Sequence, residues 1–378
     1  MIEPPRAAAG ARAGWGELAR VLEAWGEPAY RARQIGEWKE RRLAASFDEM
    51  REVPRALRQR LDEAVRYWAL EPLAEAQSAD GLTTKMLFRL ADGECIESVL
   101  MRQPTPAGGW RSTVCVSSQA GCKMRCSFCA TGHGGWRRNL AADEIVDQVL
   151  YFAARLKRPP AVAAGGGSRG HLSQPASPPA IELLQRVDNV VFMGMGEPLD
   201  NYDGVLAAVR RLNDVRGLGL AARSITISTC GLVPEIRRLE KEGVQVNLAV
   251  SLAATNDVRR SELIPLNRRF PLRELLAAGD EYAAVTHRRV SYEYVLIAGV
   301  NDSVEEAVQL GQLLRGRLAH VNLIPLNPVA GDGYARPTEA AVRRFQRLVR
   351  AAHVPVTVRY SKGVDIAAGC GQLRAAAS

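Results

Sequence analysis

The spacing of apolar residues changes along the chain, and the first segment that it defines is helical. Between residues 15 and 69, apolar residues recur three or four positions apart, as at Leu18, Val21 and Leu22. This spacing places them on one face of a helix. We therefore predict a small helical accessory domain over residues 15–69. The preceding residues 1–14 are rich in Ala, Pro and Arg, and we expect them to be disordered.

The next segment, residues 70–110, changes to the alternating pattern of strands. Apolar and polar residues alternate over residues 83–90 and again over residues 95–101, and Asp92 and Gly93 between them are turn residues. Two such runs around a short polar turn are typical of a β-hairpin. The hairpin extension places Glu97 on a strand.

A repeating unit then extends over residues 111–353. Apolar, β-rich runs alternate with amphipathic helical segments, which is the pattern of parallel strands joined by right-handed crossovers. The predicted strands are Thr113–Ser118, Asn189–Met193, Ser224–Ser228, Val246–Ser251, Val290–Ile297 and His320–Pro325. The predicted helices are Ala141–Leu156, Tyr202–Leu212, Val233–Glu242, Leu272–Ala284 and Ser303–Arg315. The fold class is α/β, and six units predict a partial (β/α)6 barrel.

Ligands of such barrels bind at the C-terminal ends of the strands, and several polar residues fall there. A cysteine-rich loop follows the first predicted strand, and Glu197 comes just after the second. Ser228 and Ser251 end the third and fourth strands, and Asn327 follows the sixth. We expect these residues to line one site.

Two further segments differ from the repeating pattern. Residues 161–180 are rich in Gly, Ser and Pro, which predicts a flexible insertion without a catalytic role. Residues 354–378 form a C-terminal segment with a β-like run and with Cys370 between Gly369 and Gly371. Glycines on both sides allow a mobile loop to present this thiol.

Composition and charge narrow the class of protein. The chain has 378 residues, enough for two or three domains, and a formal charge of +9 that points to an anionic partner. The seven cysteines come without a secretory signal, and this argues for a reducing cytoplasm. No stretch approaches 18 uncharged apolar residues, so we expect no membrane-spanning helix.

The strongest chemical signal is the spacing of Cys122, Cys126 and Cys129. Three thiolates can ligate three irons of a [4Fe-4S] cluster, and the fourth iron stays open for a chelating molecule. S-adenosylmethionine, with its amino and carboxylate groups, is such a chelator. A structural zinc site with His133 as fourth ligand is the alternative that this spacing leaves open.

Two other motifs carry chemistry. Gly194-Met-Gly-Glu197 follows a predicted strand, and Leu199 occupies the position where a dinucleotide-binding motif has its third glycine. A carboxylate beside glycines instead suits the amino group of S-adenosylmethionine. We interpret Cys95 and Cys230 as small buried residues, whereas Cys115 would point from the first barrel strand toward the barrel mouth.

Together these motifs resemble the radical S-adenosylmethionine RNA methyltransferases of the RlmN/Cfr type. The resemblance covers nearly the whole chain. Its motifs are Cys115-Val-Ser-Ser-Gln-Ala-Gly-Cys122, Gly194-Met-Gly-Glu-Pro-Leu199, Ser228-Thr-Cys-Gly231, Ser251-Leu-Ala-Ala254, Asn322-Leu-Ile-Pro-Leu-Asn-Pro328 and Ala368-Gly-Cys-Gly-Gln-Leu373.

The resemblance implies roles for residues at matching positions. Cys370 would be the methyl carrier, Cys115 its disulfide partner and Glu97 the proton acceptor. The cluster ligands would be Cys122, Cys126 and Cys129. The residues implied to contact S-adenosylmethionine are Gly196, Glu197, Ser228, Ser251, Leu252, Ala253 and Asn327. Ala253 departs from the family, which often has His there, so its contact would come from the backbone.

The resemblance implies methylation of adenosine C2 in 23S rRNA, and tRNA is a further implied substrate. The reaction would use one [4Fe-4S] cluster, two molecules of S-adenosylmethionine per turnover and a flavodoxin- or ferredoxin-like electron donor. We expect a cytoplasmic monomer that does not bind membranes. The alternatives are the same chemistry at adenine C8, a radical enzyme that acts on a small molecule or a protein, and a non-enzymatic iron–sulfur or zinc module that binds RNA.

Overall fold

The structure is a computed structural model that describes residues 12–105, 107–158, 186–329 and 331–374. The insertion predicted at residues 161–180 lies outside the described residues. So does most of the N-terminus predicted to be disordered, although Ala13 is described and pairs with Val65.

The N-terminal segment is helical, as its apolar spacing predicts. Its α-helices are α1 (Leu18–Ala24), α2 (Tyr30–Glu40) and α3 (Arg55–Ala64). Their apolar faces enclose a core of their own, in which the rings of Trp15, Phe47 and Tyr67 pack against one another. The ring centroids of Phe47 and Tyr67 are 4.9 Å apart in an edge-to-face arrangement, a geometry that aromatic pairs prefer.

Ten strands of the described chain form one large sheet. Its order is β1-β2-β3-β4-β7-β8-β9-β10-β11-β12. Neighbours from β1 to β4 are antiparallel, and neighbours from β4 to β12 are parallel. Strands β5 and β6 form a separate antiparallel pair. The strands are β1 (Glu71–Gln77), β2 (Thr83–Arg89), β3 (Cys95–Pro104), β4 (Trp110–Cys115), β5 (Gln119–Gly121), β6 (Trp136–Asn139), β7 (Asn189–Phe192), β8 (Ile225–Thr229), β9 (Asn247–Ser251), β10 (Val290–Leu296), β11 (Ala319–Pro325) and β12 (Val356–Val358).

Helices alternate with the parallel strands, which confirms the α/β partial barrel. They are α4 (Ala130–His133), α5 (Ala142–Lys157), α6 (Tyr202–Asn213), α7 (Val233–Leu239), α8 (Asp257–Leu263), α9 (Leu272–Thr286), α10 (Val304–Leu314) and α11 (Glu339–Ala351). Short 3-10 helices lie at Trp15–Glu17, Phe47–Glu49, Pro198–Asn201, Ala222–Ser224, Pro265–Arg268 and Val364–Ile366. None of the described helices is long and apolar enough to cross a membrane.

The sheet extends beyond the prediction at both edges. The hairpin has a third strand, β1, whose residues are mostly exposed and which pairs with β2. At the other edge β12 pairs parallel to β11 and so brings the C-terminal segment into the barrel sheet. The sheet therefore positions the hairpin and the C-terminal segment on either side of the barrel strands.

A buried ion pair joins the N-terminal helices to the barrel. Lys39 on α2 and Asp147 on α5 lie 2.8 Å apart (Nζ to Oδ1), and neither side chain is exposed. The Lys39 ammonium also donates to the carbonyl of Tyr67 at 2.7 Å and lies 4.0 Å from the centre of the Trp15 ring. Burial lowers the pKa of Lys39 and raises the pKa of Asp147, and the ion pair opposes both shifts. Each of these two buried side chains therefore depends on its partner to remain charged.

Candidate active site

Two adjoining cavities lie at the C-terminal ends of the barrel strands. The larger cavity has a volume of about 150 Å³, and the smaller cavity has a volume of about 30 Å³. Met193, which follows β7, and Cys370, in the C-terminal segment, line both. The predicted barrel mouth is therefore the place where the C-terminal loop meets the strands.

The three cysteines of the predicted cluster motif all line the larger cavity. Their loop is held at its start by the β5–β6 pair, where the Cys122 N–H donates to the carbonyl of Gly135 at 2.8 Å. Gly121 has a φ of 77°, and a Cβ atom there would lie 1.9 Å from that same carbonyl oxygen. Only glycine fits this close approach, so the turn depends on the Gly-Cys pair in the sequence.

The donor set suits an iron–sulfur cluster. Burial and the neighbouring Cys126 raise the pKa of Cys129, and the N–H groups of Gly132 and Thr131 oppose that rise. Burial raises the pKa of Cys122 as well, and the N–H of Met124 opposes it. Backbone N–H groups aimed at cysteine sulfur are the kind of donors that tune iron–sulfur sites.

His133, the alternative zinc ligand, does not line the larger cavity. The Nε2 atom of His133 lies 2.9 Å from the carbonyl oxygen of Ser127. A four-iron cluster instead needs one thiolate on each of three irons, which is the ligand set that Cys122, Cys126 and Cys129 offer.

Glu197 lies on the same cavity in a cradle of backbone donors. Its Oε1 accepts from the N–H of Leu199 at 3.1 Å and its Oε2 from the N–H of Cys230 at 2.8 Å. Burial raises the pKa of Glu197, and these donors oppose the rise. Gly196 has a φ of 98°, and a Cβ there would meet Gln119 at 2.6 Å. Because Gly196 has no side chain, its backbone can pack against Gln119, and Glu197 then lies in the lining of the larger cavity.

Most of the other residues implied to contact S-adenosylmethionine lie on the same wall. Ser228, Ser251 and Asn327 line the larger cavity. Leu252 and Ala253, which are both fully buried, do not line it. The N–H of Leu252 donates to the carbonyl of Glu293, and the carbonyl of Ala253 accepts from the side chain of Asn301.

Cys115 and Cys370 meet at the smaller cavity, together with Arg359. Both cysteines are free thiols in this structure. Burial raises the pKa of Cys115 to about 12, and Arg359 opposes the rise. Burial also raises the pKa of Cys370, again against Arg359. The guanidinium is therefore the group nearby that stabilises a thiolate at either sulfur.

Glu97, the third predicted catalytic residue, lines neither cavity. It lies on β3 beneath the C-terminal loop, with only 7% of its side chain exposed. Its Oε1 is 2.9 Å from the Nζ atom of Lys85, and its Oε2 accepts from the backbone N–H of Arg374 at 2.7 Å. Both carboxylate oxygens of Glu97 are therefore engaged, one by the hairpin and one by the C-terminal segment, and Glu97 does not line the cavity that Cys115 and Cys370 share.

Three residues of the site were not predicted to belong to it. Glu293, on β10, lines the larger cavity and accepts from Asn322 at 2.8 Å through Oε1, whereas its buried Oε2 has no partner among the described residues. A carboxylate within an apolar strand was the only sequence signal. Cys230, interpreted as a small buried residue, is buried but lies against Cys126 on the same cavity.

The third is Arg260, on α8, which ties the ends of two barrel strands together. Its fully buried guanidinium donates to the carbonyls of Cys230 at 2.7 Å, Ser251 at 3.0 Å and Leu252 at 3.1 Å. These carbonyls follow or end β8 and β9. No short sequence motif marks an arginine with this role, because its acceptors are backbone groups.

Two family models match the chain. The model of the N-terminal domain of the ribosomal RNA large subunit methyltransferase matches residues 15–66. The model of the radical SAM superfamily matches residues 179–311. The first match covers the N-terminal helices, and the second covers much of the barrel.

Two relatives with similar sequences carry the same name. A probable dual-specificity RNA methyltransferase RlmN of Moorella thermoacetica is 47% identical over 95% of this chain and 94% of its own length. The protein of the same name from Frankia alni is 50% identical over 95% of this chain and 81% of its own length. Among solved structures, a radical SAM methyltransferase from Sphaerobacter thermophilus is 47% identical, covers 98% of this chain and 100% of its own, and has a TM-score of 0.84.

Proposed function

Because the chain belongs to the RlmN family of radical SAM RNA methyltransferases, we propose that it methylates C2 of adenosine in 23S rRNA and also in tRNA. The observation that carries this proposal is the position of Cys370. Cys370 lines the larger cavity together with the three cluster-motif cysteines, and it also lines the smaller cavity together with Cys115. A methyl-carrying cysteine needs both neighbours. It receives and activates its methyl group beside the cluster, and Cys115 then frees it from the RNA.

The chemistry of the target explains why a carrier thiol is needed. Adenine C2 lies between two nitrogens and is electron-poor, so it does not attack an electrophilic methyl group. A thiolate does. Cys370 therefore takes a methyl group from a first S-adenosylmethionine by displacement, and S-adenosylhomocysteine leaves. Arg359 lies where it stabilises the thiolate that this step requires.

A cluster held by Cys122, Cys126 and Cys129 would supply the electron that cleaves a second S-adenosylmethionine to a carbon radical. Glu197, Ser228, Ser251 and Asn327 would hold this molecule. Leu252 and Ala253 would act by supporting the wall from behind, since they do not line the cavity.

The later steps fall to Glu97 and to the two cysteines of the smaller cavity. The carbon radical would remove a hydrogen atom from the methyl group on Cys370, and the methylene radical left on the sulfur would add to C2. The adduct would then give up one electron, for which the oxidised cluster would be the acceptor, and Glu97 accepts the C2 proton. The Cys115 thiolate then attacks the sulfur of Cys370 and forms a disulfide, and the released carbon takes up a proton to become the methyl group. Cys115 and Cys370 are both thiols here, which is the state that must precede loading of the carrier.

The parts of the chain outside the barrel mouth would bind the RNA. The N-terminal helices and the basic C-terminal segment would hold the strands that flank the target, and the adenine must leave its stack to reach the cavity. We further propose that the protein works in the cytoplasm as a monomer with a flavodoxin- or ferredoxin-like donor.

The test is turnover by anaerobically reconstituted protein with 23S rRNA fragments or tRNA and S-adenosylmethionine that carries a deuterated methyl group. Reconstituted protein should hold about four irons, and Cys126→Ala should lose them. Mass spectrometry of the nucleosides should then find 2-methyladenosine. The isomer 8-methyladenosine would establish the C8 alternative. Cleavage of S-adenosylmethionine that needs no RNA would point to a different substrate.

A further inference from the structure

The hairpin carries an ion pair that also binds the C-terminal loop. Lys85 on β2 and Glu97 on β3 lie 2.9 Å apart (Nζ to Oε1), with 16% and 7% of their side chains exposed. Their strands are paired so that Lys85 is opposite Val99, two positions from Glu97. The two side chains therefore share one face of the hairpin, the face on which the loop lies.

Each member of the pair holds one side of the Cys370 loop. The ammonium of Lys85 donates to the carbonyl of Ala367 at 3.2 Å. The Oε2 atom of Glu97 accepts from the N–H of Arg374 at 2.7 Å. These two contacts lie three residues before and four residues after Cys370. One ion pair thus fixes both ends of the segment that presents the methyl-carrying sulfur.

We propose that Lys85 is a positioning residue that aims Glu97 and clamps the Cys370 loop through this pair. The inference rests on the proposed function for the role of Glu97 as proton acceptor. With the loop docked, both carboxylate oxygens are engaged and Glu97 lines neither cavity. Release of Arg374 then opens Oε2. The C2 proton passes to this oxygen, while the electron pair of the C–H bond stays in the ring.

The loop has other anchors, which explains why the clamp can open without loss of the fold. The carbonyl of Gly371 accepts from Ala130 at 2.8 Å, and the carbonyl of Leu373 accepts from the Thr131 hydroxyl at 2.6 Å. Both donors belong to α4, directly after the third cluster-motif cysteine. Opening of the clamp therefore leaves the loop attached to the cluster side of the cavity.

The clamp is tested by hydrogen exchange of the full-length protein without RNA. In Lys85→Met, peptides covering residues 367–374 should exchange about tenfold faster, because a hydrogen-bonded charge is lost. Barrel peptides from β10 should not change, which separates a loosened loop from a loosened fold. Lys85→Arg should restore slow exchange. The control is Arg89→Met, on the same strand, whose partner Glu71 does not touch the loop. Equal exchange of residues 367–374 in wild type and Lys85→Met would overturn the clamp.

A second readout follows the chemistry. In Lys85→Met, Cys370 should still become methylated. The covalent protein–RNA adduct should decay about tenfold more slowly than in wild type. This effect is smaller than the roughly 100-fold or greater loss of rate that removal of a general base causes. Glu97→Gln, which removes the proposed base itself, should show that larger loss in the rate of adduct decay. Normal decay in Lys85→Met would refute the positioning role. If wild type leaves RNA unmethylated while the exchange result stands, the proposed function fails and the clamp remains.

Discussion

The side-chain amide of Asn327 donates a hydrogen bond to the backbone carbonyl of Cys370 at 3.1 Å. The same amide donates to the hydroxyl of Ser361 at 2.7 Å. Asn327 follows β11 and lines the larger cavity, so a residue at the barrel mouth holds the backbone of the proposed methyl carrier. This contact couples the position of the sulfur to the place where S-adenosylmethionine is proposed to bind.

Removal of the carrier thiol should stop the reaction before RNA is joined. Cys370→Ala should keep its iron, because Cys370 is not one of the three cluster-motif cysteines. It should form neither methylated cysteine nor an adduct with RNA. Iron content, mass spectrometry of the protein and denaturing gels measure these three outcomes. Methylated RNA from this variant would show that the methyl group travels by another route.

Removal of the second thiol should act later. In Cys115→Ala the carbon on Cys370 should still join C2, but no thiolate is present in the smaller cavity to attack the sulfur. A covalent protein–RNA adduct should therefore accumulate. It is detected as a gel shift that survives denaturant and disappears with ribonuclease. Normal turnover without an adduct would reduce Cys115 to a core residue, and the Cys115→Ala/Cys370→Ala double variant is the negative control.

The buried Cys115 thiol should also make stability depend on pH. Its pKa is raised to about 12 by burial, against about 8.5 in an unfolded chain. The folded state therefore keeps a proton that the unfolded state loses, so stability is full below pH 8.5 and falls as pH rises toward 12.

Urea unfolding of the protein without its cluster at pH 8 and pH 10.5 measures this effect. Wild type should lose roughly 2 kcal/mol more than Cys115→Ala over that interval. Equal losses in the two proteins would mean that the thiol is not protected by burial as the structure indicates.

Removal of one member of the Lys39–Asp147 pair should destabilise the protein strongly. Lys39→Met leaves a buried carboxylate without its partner, which costs about 3–5 kcal/mol. Addition of Asp147→Asn should recover much of the loss, because the amide keeps an acceptor for the Ala69 N–H that bonds Asp147 at 2.7 Å. Thermal unfolding checks both.

The matched control is Arg42→Met, from the same helical segment. Arg42 and Glu52 form an exposed pair, and exposed pairs often contribute nothing measurable. A large effect of Arg42→Met, or none of Lys39→Met, would contradict this account.

The sequence alone determined the barrel and the cluster motif, because both depend on the spacing of residues close together in the chain. Buried parallel strands need continuous apolar runs, and β7 is one, with Val190, Val191 and Phe192 all buried. A strand such as β1 has no apolar pattern to reveal it. Most of its residues are exposed, and pairing with β2 is what makes it a strand.

Only the tertiary structure decided which polar groups meet. Glu97 and Arg374 are 277 positions apart, and Lys39 and Asp147 are 108 apart. Glu293, which lines the larger cavity, is flanked by Tyr292 and Tyr294 in an apolar run. Spacing reports which residues share one face of one element. It does not report contacts between elements, since these arise only when the sheet order and the path of the C-terminal loop are set by packing of the whole chain.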